Sequence, residues 1–362
     1  MEIREHISLA DFTTFRLGGP ARFFAQVVSV EELVEALRFA KEKKLRTFVL
    51  GGGSNILVSD TGFDGLVIKM NLRGREVYED EESVLLDVAA GEVLDDVVAW
   101  SVERGWWGIE NLSFVPGLVG ALVIQNVNAY GVKAEHVVES VEAYDMQAGE
   151  MRTFSNEACQ FRYRGSIFNK EEKDRYVVLS VKIRLMKTAI PKLQYADLKK
   201  YFIGKSITDP TLSQIREAIV HIRKGKGFDP EKYWSAGSFF SNLMLDRDAA
   251  QTLRDRILSV AGERIAQKYD LILEKFYEEG EKDPNLEVGK VKIPTGFILD
   301  QVLNLKGYRH GGAHVSSMHA QTFINDGTAT ASDIYELYLY IKNLAKDKLG
   351  LELVHEPEFV GL

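Results

Sequence analysis

Near the N-terminus the pattern of apolar residues changes twice within about thirty residues, from strand-like to helical and back to strand-like. Residues 25–28 and 47–50 are short apolar runs that predict strands, and the segment between them has helical periodicity. Ser29 and Glu32 have the spacing of a capping box, which predicts the start of a helix over residues 30–44. The apolar face predicted for this helix is formed by Leu33, Val34, Leu37 and Ala40. The pattern therefore predicts a β-α-β unit at the start of the chain.

Strand patterns continue through the first half of the chain and then give way to helical patterns. Strands are predicted at residues 65–69, 83–89, 141–144 and 176–181, with a helix over residues 92–103. Helices are predicted at residues 212–223, 246–279 and 294–301, and the tail 351–362 is predicted to be extended. Thr330 and Asp333 have capping-box spacing before a last helix, whose predicted buried face is Ile334, Leu337, Ile341 and Leu344. The change of pattern near residues 205–210 predicts a domain boundary.

Composition narrows the class of protein without assigning a function. The 362 residues exceed one average domain, so two or three domains are expected. A net charge of −8 argues against a general nucleic-acid binder, and the single Cys159 excludes an intrachain disulfide framework. No apolar run has the length of a membrane span and the N-terminus lacks an apolar signal core, so a cytoplasmic protein is expected. His314 and His319 fall on opposite faces of a predicted extended segment, and no metal site is expected.

Two glycine-rich segments follow neither period. Residues 51–55 (GGGSN) come directly after a predicted strand, and residues 108–131 combine four glycines with a proline and an apolar middle. Such segments bring backbone N–H groups close to a ligand, which predicts a nucleotide cofactor, although a tight turn also explains each of them. Neither GxGxxG in a strand–helix context nor GxxxxGK[ST] occurs, so a Rossmann site and a P-loop are not predicted.

Several polar residues are candidates for chemistry, each with a structural alternative. Arg164, beside Tyr163 in a predicted loop, could hold a carboxylate or stabilise developing negative charge, or could simply stack on the tyrosine. Ser238 lies between Gly237 and two aromatic residues, where its hydroxyl could donate a proton or merely fit a tight turn. Glu356, in the apolar tail, is either a functional acid or a charge that protects an edge strand.

A basic run follows the predicted helix 212–223. Arg223, Lys224 and Lys226 could bind a diphosphate. Cations also favour helix C-termini, so a solvated helix end explains the run equally well.

Eight segments in register resemble the UDP-N-acetylenolpyruvoylglucosamine reductase (MurB) family over almost the whole chain. They are TTFRLGGPA, LGGGSNILVSD, GIENLSFVPGLVGALVIQNVNAYG, CQFRYRGSIF, SAGSFFSN, ILDQVLNLKG, GGAHVSSMHA and HEPEFVG. The resemblance implies an α+β protein: a two-subdomain FAD-binding fold of the vanillyl-alcohol-oxidase (PCMH) type with a separate α+β substrate-binding domain. It implies an FAD-binding region over residues 1–205, with subdomains of about 1–70 and 71–205 and the tail 350–362 returning to it. Residues 206–349 would form the substrate-binding domain.

The family's reaction consists of two hydride transfers. NADPH reduces a non-covalently bound FAD, and UDP-N-acetylglucosamine enolpyruvate then takes a hydride at C3 and a proton at C2, which yields UDP-N-acetylmuramate for peptidoglycan. A monomer that binds neither nucleic acid nor membrane is expected. Two alternatives stay open, namely another FAD oxidoreductase of the same fold and a catalytically silent homologue that binds flavin or a sugar nucleotide.

The resemblance also implies roles for individual residues. Arg164 and Glu356 would stabilise the negative charge of the intermediate, and Ser238 would deliver the C2 proton. The implied FAD-binding residues are Gly51, Gly52, Gly53, Ser54, Asn55, Pro116, Gly117, Gly120, Asn126 and Gly131. The implied substrate-binding residues are Tyr163, Tyr195, Arg223, Lys226, Asn242 and Gln301, with Tyr195 matching the gating tyrosine of one family type.

This chain departs from the family pattern at several positions. Val123 replaces a proline, Asn128 a glycine, Gly165 an aspartate and Ser241 a frequent lysine, and the segment 246–291 is longer than usual. In the tail, Glu356 matches the catalytic acid by register, and Glu358 is the rival by composition.

Overall fold

The computed structural model describes the backbone of residues 1–280 and 289–362 and the side chains of residues 1–275 and 289–362. In these ranges the strands are β1 (Ile3–Ser8), β2 (Pro20–Val27), β3 (Arg46–Leu50), β4 (Ile56–Val58), β5 (Phe63–Met70), β6 (Arg75–Glu79), β7 (Ser83–Ala89), β8 (Asn128–Ala129), β9 (Val132–Lys133), β10 (Val138–Asp145), β11 (Glu150–Ser155), β12 (Tyr176–Met186), β13 (Leu243–Asp246), β14 (Lys290–Ile293), β15 (Arg309–His310), β16 (Ala313–Val315), β17 (Phe323–Asn325) and β18 (Glu358–Val360). The helices are α1 (Val30–Glu42), α2 (Leu94–Glu103), α3 (Val119–Ile124), α4 (Ala196–Gly204), α5 (Leu212–Gly225), α6 (Arg247–Ala261), α7 (Glu263–Gly280), α8 (Thr295–Phe297) and α9 (Ala331–Leu349).

The chain divides into two compact units, each assembled from separate segments. The first unit comprises Met1–Ser8, Pro20–Ser54 and Phe63–Gly225, and the second comprises Leu9–Gly19, Asn55–Gly62 and Lys226–Leu362. The functional domain limits given above remain a prediction.

The first unit contains two larger sheets. One has the order β1-β2-β5-β3, in which β5 is parallel to both β2 and β3. Parallel strands require a crossover, and α1 provides the one between β2 and β3. The other sheet is antiparallel, with the order β11-β10-β12-β7-β6. The short helix α3 packs against β12 and β7 of this sheet, which positions the second glycine-rich segment.

Helix α1 shows how the local sequence determines an element of this unit. The Ser29 hydroxyl accepts the N–H of Glu32 at 3.3 Å, and the Glu32 carboxylate accepts the N–H of Val28 at 2.9 Å. The first contact satisfies a donor that the first helical turn leaves without a partner, and the second holds Val28, which precedes the cap residue. Leu33 and Ala36 are fully buried on its inner face. The helix predicted from the apolar stripe is therefore confirmed.

The second unit combines a three-stranded antiparallel sheet (β15-β16-β17) with α6, α7 and α9. The tail strand β18 pairs in parallel with β4, which follows the GGGSN segment in the chain. Thr330 and Asp333 form the predicted capping box at the start of α9, and Gly350, with φ +65°, is the cap residue after its last residue. An aromatic cluster that includes Phe239, Phe240 and Phe323 lies in the core of this unit.

The remaining helix predictions are confirmed with shifted ends. The helix predicted over residues 246–279 is present as α6 and α7, and the long segment that contains it extends over residues 281–288, outside the described residues. The helix predicted over 294–301 is a short α8 followed by the π-helical turn Ile298–Val302. Helices α3 and α4 were not predicted; α3 lies inside segment 108–131, whose apolar residues follow neither the helical nor the strand period. No helix in the described ranges combines the length and the apolar content needed to cross a bilayer.

Candidate functional site

The two glycine-rich segments touch each other in the first unit. A Cβ atom built on Gly52 would lie 2.7 Å from the Cα of Gly117, closer than side-chain and backbone carbons approach. Gly117 has φ +117°, which L-residues rarely adopt. The Ser54 hydroxyl donates to the Pro116 carbonyl at 3.4 Å across the same contact. Glycine is therefore required here because two backbones meet, which an isolated turn does not demand.

This pair of loops has the properties of an anion cradle. In the described part of the chain, the backbone N–H groups of Gly52 and Gly117 donate no hydrogen bond to protein atoms. A Cβ on Gly51 would meet no atom within 4 Å, so open space adjoins the loop. Bare N–H groups beside open space are the usual means of holding phosphate oxygens. These residues fit the diphosphate of the FAD that the resemblance implies.

The later part of the second segment holds the fold around this cradle. Gly120 packs against Ala90, where an added Cβ would lie 2.9 Å from the Ala90 Cβ. The side chain of Asn126, which is buried and has φ +46°, donates to Glu135 Oε2 at 2.7 Å and to the Arg162 carbonyl at 3.1 Å. Gly131 has φ +86° and no atom within 4 Å of an added Cβ. Asn126 thus ties this segment to the turn that carries Arg164.

Arg164 lies in a tight turn with an unfavourable backbone. Arg162 and Gly165 exchange two backbone hydrogen bonds of 2.9 and 3.1 Å, and Arg164 between them has φ +53°. Its guanidinium lies 6.0 Å from the centre of the Tyr163 ring. A left-handed conformation costs free energy in a residue other than glycine and is common at functional sites. Both interpretations of the pair are thus compatible with the turn, which places the guanidinium near the Tyr163 ring and sets where the Arg164 side chain leaves the backbone.

Ser238 and Glu356 lie on neighbouring backbone segments of the second unit. The N–H of Phe239 donates to the Gln321 carbonyl at 2.7 Å, and the Phe239 carbonyl accepts the N–H of Glu356 at 2.8 Å. Ser238 directly precedes Phe239 and follows Gly237, which has φ +73°. Residues far apart in sequence are thereby brought together on a backbone that is bonded on both sides.

The backbone of the tail is hydrogen-bonded on both sides of Pro357, and the two candidate acids beside it differ in burial. The Asn55 amide donates to the Glu356 carbonyl at 3.1 Å, and the Asn55 carbonyl accepts the N–H of Glu358 at 2.9 Å. Although Pro357 has no N–H group to donate, the tail is therefore still held to Asn55 by the residues on either side of it. Glu356 is half-buried, whereas Glu358 is exposed. Burial favours Glu356 as the residue whose carboxyl group has a specific environment.

The candidate gating tyrosine belongs to a cluster in the first unit. Tyr195 is the N-terminal cap residue of α4, and its ring packs edge-on against the ring of Tyr130 at 4.9 Å between centres. The Nε of Arg223 donates to the Phe114 carbonyl at 3.0 Å. Burial lowers the pKa of the Arg223 guanidinium, and Tyr130 and Tyr195 partly oppose that shift. The structure therefore brings two of the predicted substrate residues, Tyr195 and Arg223, into one cluster.

Comparison with known proteins agrees with this geometry. A family model described as FAD binding domain matches residues 21–155, and one described as UDP-N-acetylenolpyruvoylglucosamine reductase, C-terminal domain, matches residues 229–360. The chain is 35% identical over 358 residues to the UDP-N-acetylenolpyruvoylglucosamine reductase of Pseudomonas aeruginosa, covering 99% of this chain and 98% of that protein. The chain belongs to the UDP-N-acetylenolpyruvoylglucosamine reductase family. The resemblance stated from the sequence motifs is thus confirmed.

Other members of the reductase family support the same assignment and the fold. The enzyme of that name from Flavobacterium johnsoniae is 34% identical over 362 residues, covering 99% of this chain and all of that protein. A crystal structure of the Thermus caldophilus reductase has a TM-score of 0.64 at 24% identity, covering 99% of this chain and 100% of that one. The predicted fold class, an FAD-binding fold with a separate C-terminal α+β domain, is confirmed.

The remaining candidate substrate residues lie in the second unit. Asn242 Oδ1 accepts the N–H of Thr295, the first residue of α8, at 3.1 Å. Gln301, in the π-helical turn that follows α8, accepts a hydrogen bond from Lys268 Nζ at 2.9 Å. Lys226 is half-buried at the start of this unit's last segment. Asn242 and Gln301 are thus associated with one continuous helical segment.

Sequence reasoning missed two polar residues that hold the second glycine-rich segment and its neighbours in the first unit. Asp95, in the first turn of α2, accepts the N–H of Phe114 at 2.6 Å and pairs with both terminal nitrogens of Arg216 at 2.6 and 3.0 Å. Asn111 is fully buried, and its amide donates to the carbonyls of Tyr130 and Lys192 at 2.7 and 2.8 Å. Asp95 was weakly indicated in the sequence, as an acidic residue at the start of a predicted helix, and Asn111 was not indicated at all.

Proposed function

We propose that this chain catalyses the NADPH-dependent reduction, through FAD, of UDP-N-acetylglucosamine enolpyruvate to UDP-N-acetylmuramate. The observation that carries the proposal is identity of 35% to a reductase of that name over nearly the full length of both chains. The cradle at Gly52 and Gly117 supports the FAD part, since a bound diphosphate would explain why two backbones meet beside open space.

The proposed roles of the chain's own residues follow from the charge that the reaction creates. When bound, FAD supplies the chemistry of hydride transfer from NADPH to the enolpyruvyl group. A hydride added at C3 leaves negative charge toward the carboxyl group of the substrate. Arg164 and a protonated Glu356 stabilise that charge, and Ser238 donates a proton to C2. The left-handed turn at Arg164 fixes the backbone from which the guanidinium extends before the charge develops.

Binding is divided between the two sequence regions in this proposal. The backbone at Gly51–Asn55 and at 116–131 holds FAD, as the resemblance implies, with Ser54 and Asn126 bracing the loops. The substrate is bound by Tyr163, Tyr195, Arg223, Lys226, Asn242 and Gln301, and Tyr195 acts as the gate. Residues 1–205 with the tail form the FAD-binding region, and residues 206–349 form the substrate-binding domain.

The proposal includes the cellular setting that such an activity requires. The enzyme would act as a monomer in the cytoplasm, where NADPH and UDP-sugars are present. Its product would enter peptidoglycan synthesis, and loss of the activity would affect cell shape and division.

Anaerobic absorbance of the purified protein in the visible flavin band tests the activity. NADPH is added first, and UDP-N-acetylglucosamine enolpyruvate follows. Bleaching by NADPH and recovery with the enolpyruvyl sugar are the expected results. Bleaching without recovery would favour another FAD oxidoreductase of the same fold. A colourless protein that takes up no added FAD would favour the catalytically silent homologue.

Two variants separate the proposed roles in that assay. Ser238→Ala and Glu356→Gln are expected to keep reduction by NADPH and to slow reoxidation by substrate by about 10²- to 10⁴-fold, the usual contribution of a positioned proton donor or electrostatic stabiliser. The exposed Glu358→Gln is the matched control and should leave both steps unchanged. Equal loss of both steps in Ser238→Ala and Glu356→Gln would refute the assigned roles.

A further inference from the structure

Lys69 places a cation beside the glycine cradle. It lies near the end of β5 and pairs with Leu50, the last residue of β3, which Gly51 follows. Its ammonium group donates a hydrogen bond to the Gly51 carbonyl. The side chain is half-buried, so part of its hydration is lost on folding. The lysine therefore reaches the first residue of the loop that the family uses for FAD.

The charge of Lys69 has no counter-ion in the described part of the protein. No described carboxylate forms an ion pair with it, and the residues paired with it on the neighbouring strands, Gln26 and Leu50, are uncharged. The charged group that acts on it is Arg73, a second cation, which itself lies 4.0 Å from Glu92. Burial, followed by repulsion from Arg73, lowers the pKa of Lys69 to about 8. A partly desolvated cation without a counter-ion destabilises a protein, so a role in binding an anion is the simplest reason to keep it.

We propose that Lys69 is a cofactor-binding residue whose ammonium group is the counter-ion of the FAD diphosphate. The inference rests on the FAD part of the proposed function and adds a side-chain cation to a site otherwise made of backbone N–H groups. Its support is the contact of that cation with the Gly51 carbonyl, together with the unbonded N–H groups of Gly52 and Gly117 in the two adjoining loops and the open space beside Gly51. An ammonium group donates charge-assisted hydrogen bonds, which are stronger than those of neutral donors.

The proposal has a definite pH dependence because the cation, not the neutral amine, binds the diphosphate. Below about pH 8 the lysine of the free protein is protonated, and the affinity for FAD is constant. The bound diphosphate raises the pKa of the lysine, so binding above that pH requires proton uptake. The Kd for FAD then rises by up to about tenfold per pH unit until the pKa of the complex is reached.

The experiment measures the Kd of FAD for apoprotein of the full chain by quenching of flavin fluorescence, from about pH 6.5 to 9. The variants are Lys69→Met and Lys69→Arg, with Lys41→Met as control, because Lys41 is an exposed cation on α1 of the same unit. No NADPH is added, so that the phosphates of NADPH cannot be the anion detected. Riboflavin, which lacks the diphosphate, is titrated in parallel.

Lys69→Met is expected to weaken FAD binding about 10- to 100-fold at pH 7 and to remove the pH dependence. Lys69→Arg should bind FAD at every pH without the alkaline loss, since arginine stays charged. Lys41→Met should match the unaltered protein, and binding of riboflavin should be equal in Lys69→Met and the unaltered protein. Unchanged FAD affinity in Lys69→Met would overturn the role of Lys69 and leave the proposed function intact. Failure of the unaltered protein to bind FAD would overturn both.

Discussion

Asn111 offers the sharpest test of how the loops of the first unit are held. Its side chain is fully buried, and its amide nitrogen donates to the carbonyls of Tyr130 and Lys192 at 2.7 and 2.8 Å. Tyr130 packs against Tyr195, and Lys192 precedes Tyr195 by three residues in the chain. One amide group therefore connects the second glycine-rich segment to the segment that carries the candidate gate.

The cost of removing this amide can be worked from its contacts. Leaving the buried Tyr130 carbonyl without a donor costs about 1–3 kcal/mol, and the Lys192 carbonyl, which is only partly buried, adds less. The Oδ1 atom of Asn111 is buried without a partner, and Asn111→Ala recovers part of that loss by removing it. Asn111→Asp has nearly the same shape, but it replaces the donor by an oxygen and adds a buried negative charge. We therefore expect Asn111→Asp to lose more stability than Asn111→Ala at neutral pH.

Urea denaturation of the two variants measures the free energy of unfolding, with the exposed Asn343→Asp as control. Steady-state kinetics with the enolpyruvyl sugar should show a larger change in KM than in kcat, because the gating segment loses an anchor while the proposed catalytic residues keep theirs. An Asn111→Asp protein as stable as the unaltered one would refute the argument. A lower stability with KM unchanged would limit Asn111 to a structural role.

Two further variants test other parts of the site. Burial raises the pKa of Glu110, so its ionisation at neutral pH costs the folded state free energy. Glu110→Gln keeps an acceptor for Gly108 and should raise the Tm at pH 7. The difference should shrink as the pH falls and vanish only below about 4, where the carboxyl is protonated in both states. A lower Tm at pH 7 would contradict this sign. Gly52→Ala should separate the two loops, which weakens FAD binding and lowers the free energy of unfolding by about 1–3 kcal/mol, as overpacking does. Gly225→Ala is the control: its Cβ would meet nothing within 4 Å, so FAD binding and stability should both stay unchanged.

The elements that the sequence predicted well are those determined by local contacts. Ser29 with Glu32 and Thr330 with Asp333 are capping pairs three residues apart, and both occur in the structure. Helix α4 was missed; its cap residue, Tyr195, makes no side-chain capping hydrogen bond, so its start carries no capping signal. The pairing of β18 with β4 joins segments about three hundred residues apart, which no local pattern reveals.

In the candidate site, too, local features could be predicted from the sequence and tertiary contacts could not. The glycine segments were predicted to approach another group, but the sequence could not say which group. Gly52 meets the backbone of Gly117, whereas Gly312, in a segment of similar appearance, packs against Ala329, where an added Cβ would lie 2.3 Å from the backbone nitrogen. Glycines that form a cradle and glycines that allow close packing look alike in sequence. Likewise, the burial of Asn111 follows from tertiary contacts only.

Three of the family departures, at Val123, Asn128 and Gly165, occur where the backbone does not require the usual residue. Asn128, in place of a glycine, has no left-handed φ, and Val123, in place of a proline, is fully buried within α3. A Cβ on Gly165 would lie 3.1 Å from Lys170 Cε, part of a flexible side chain that can move aside. Gly52 and Gly117, by contrast, have no such freedom, because each is limited by backbone atoms or by φ. This chain therefore changes family residues where the fold tolerates it and keeps glycine where the proposed cradle depends on it.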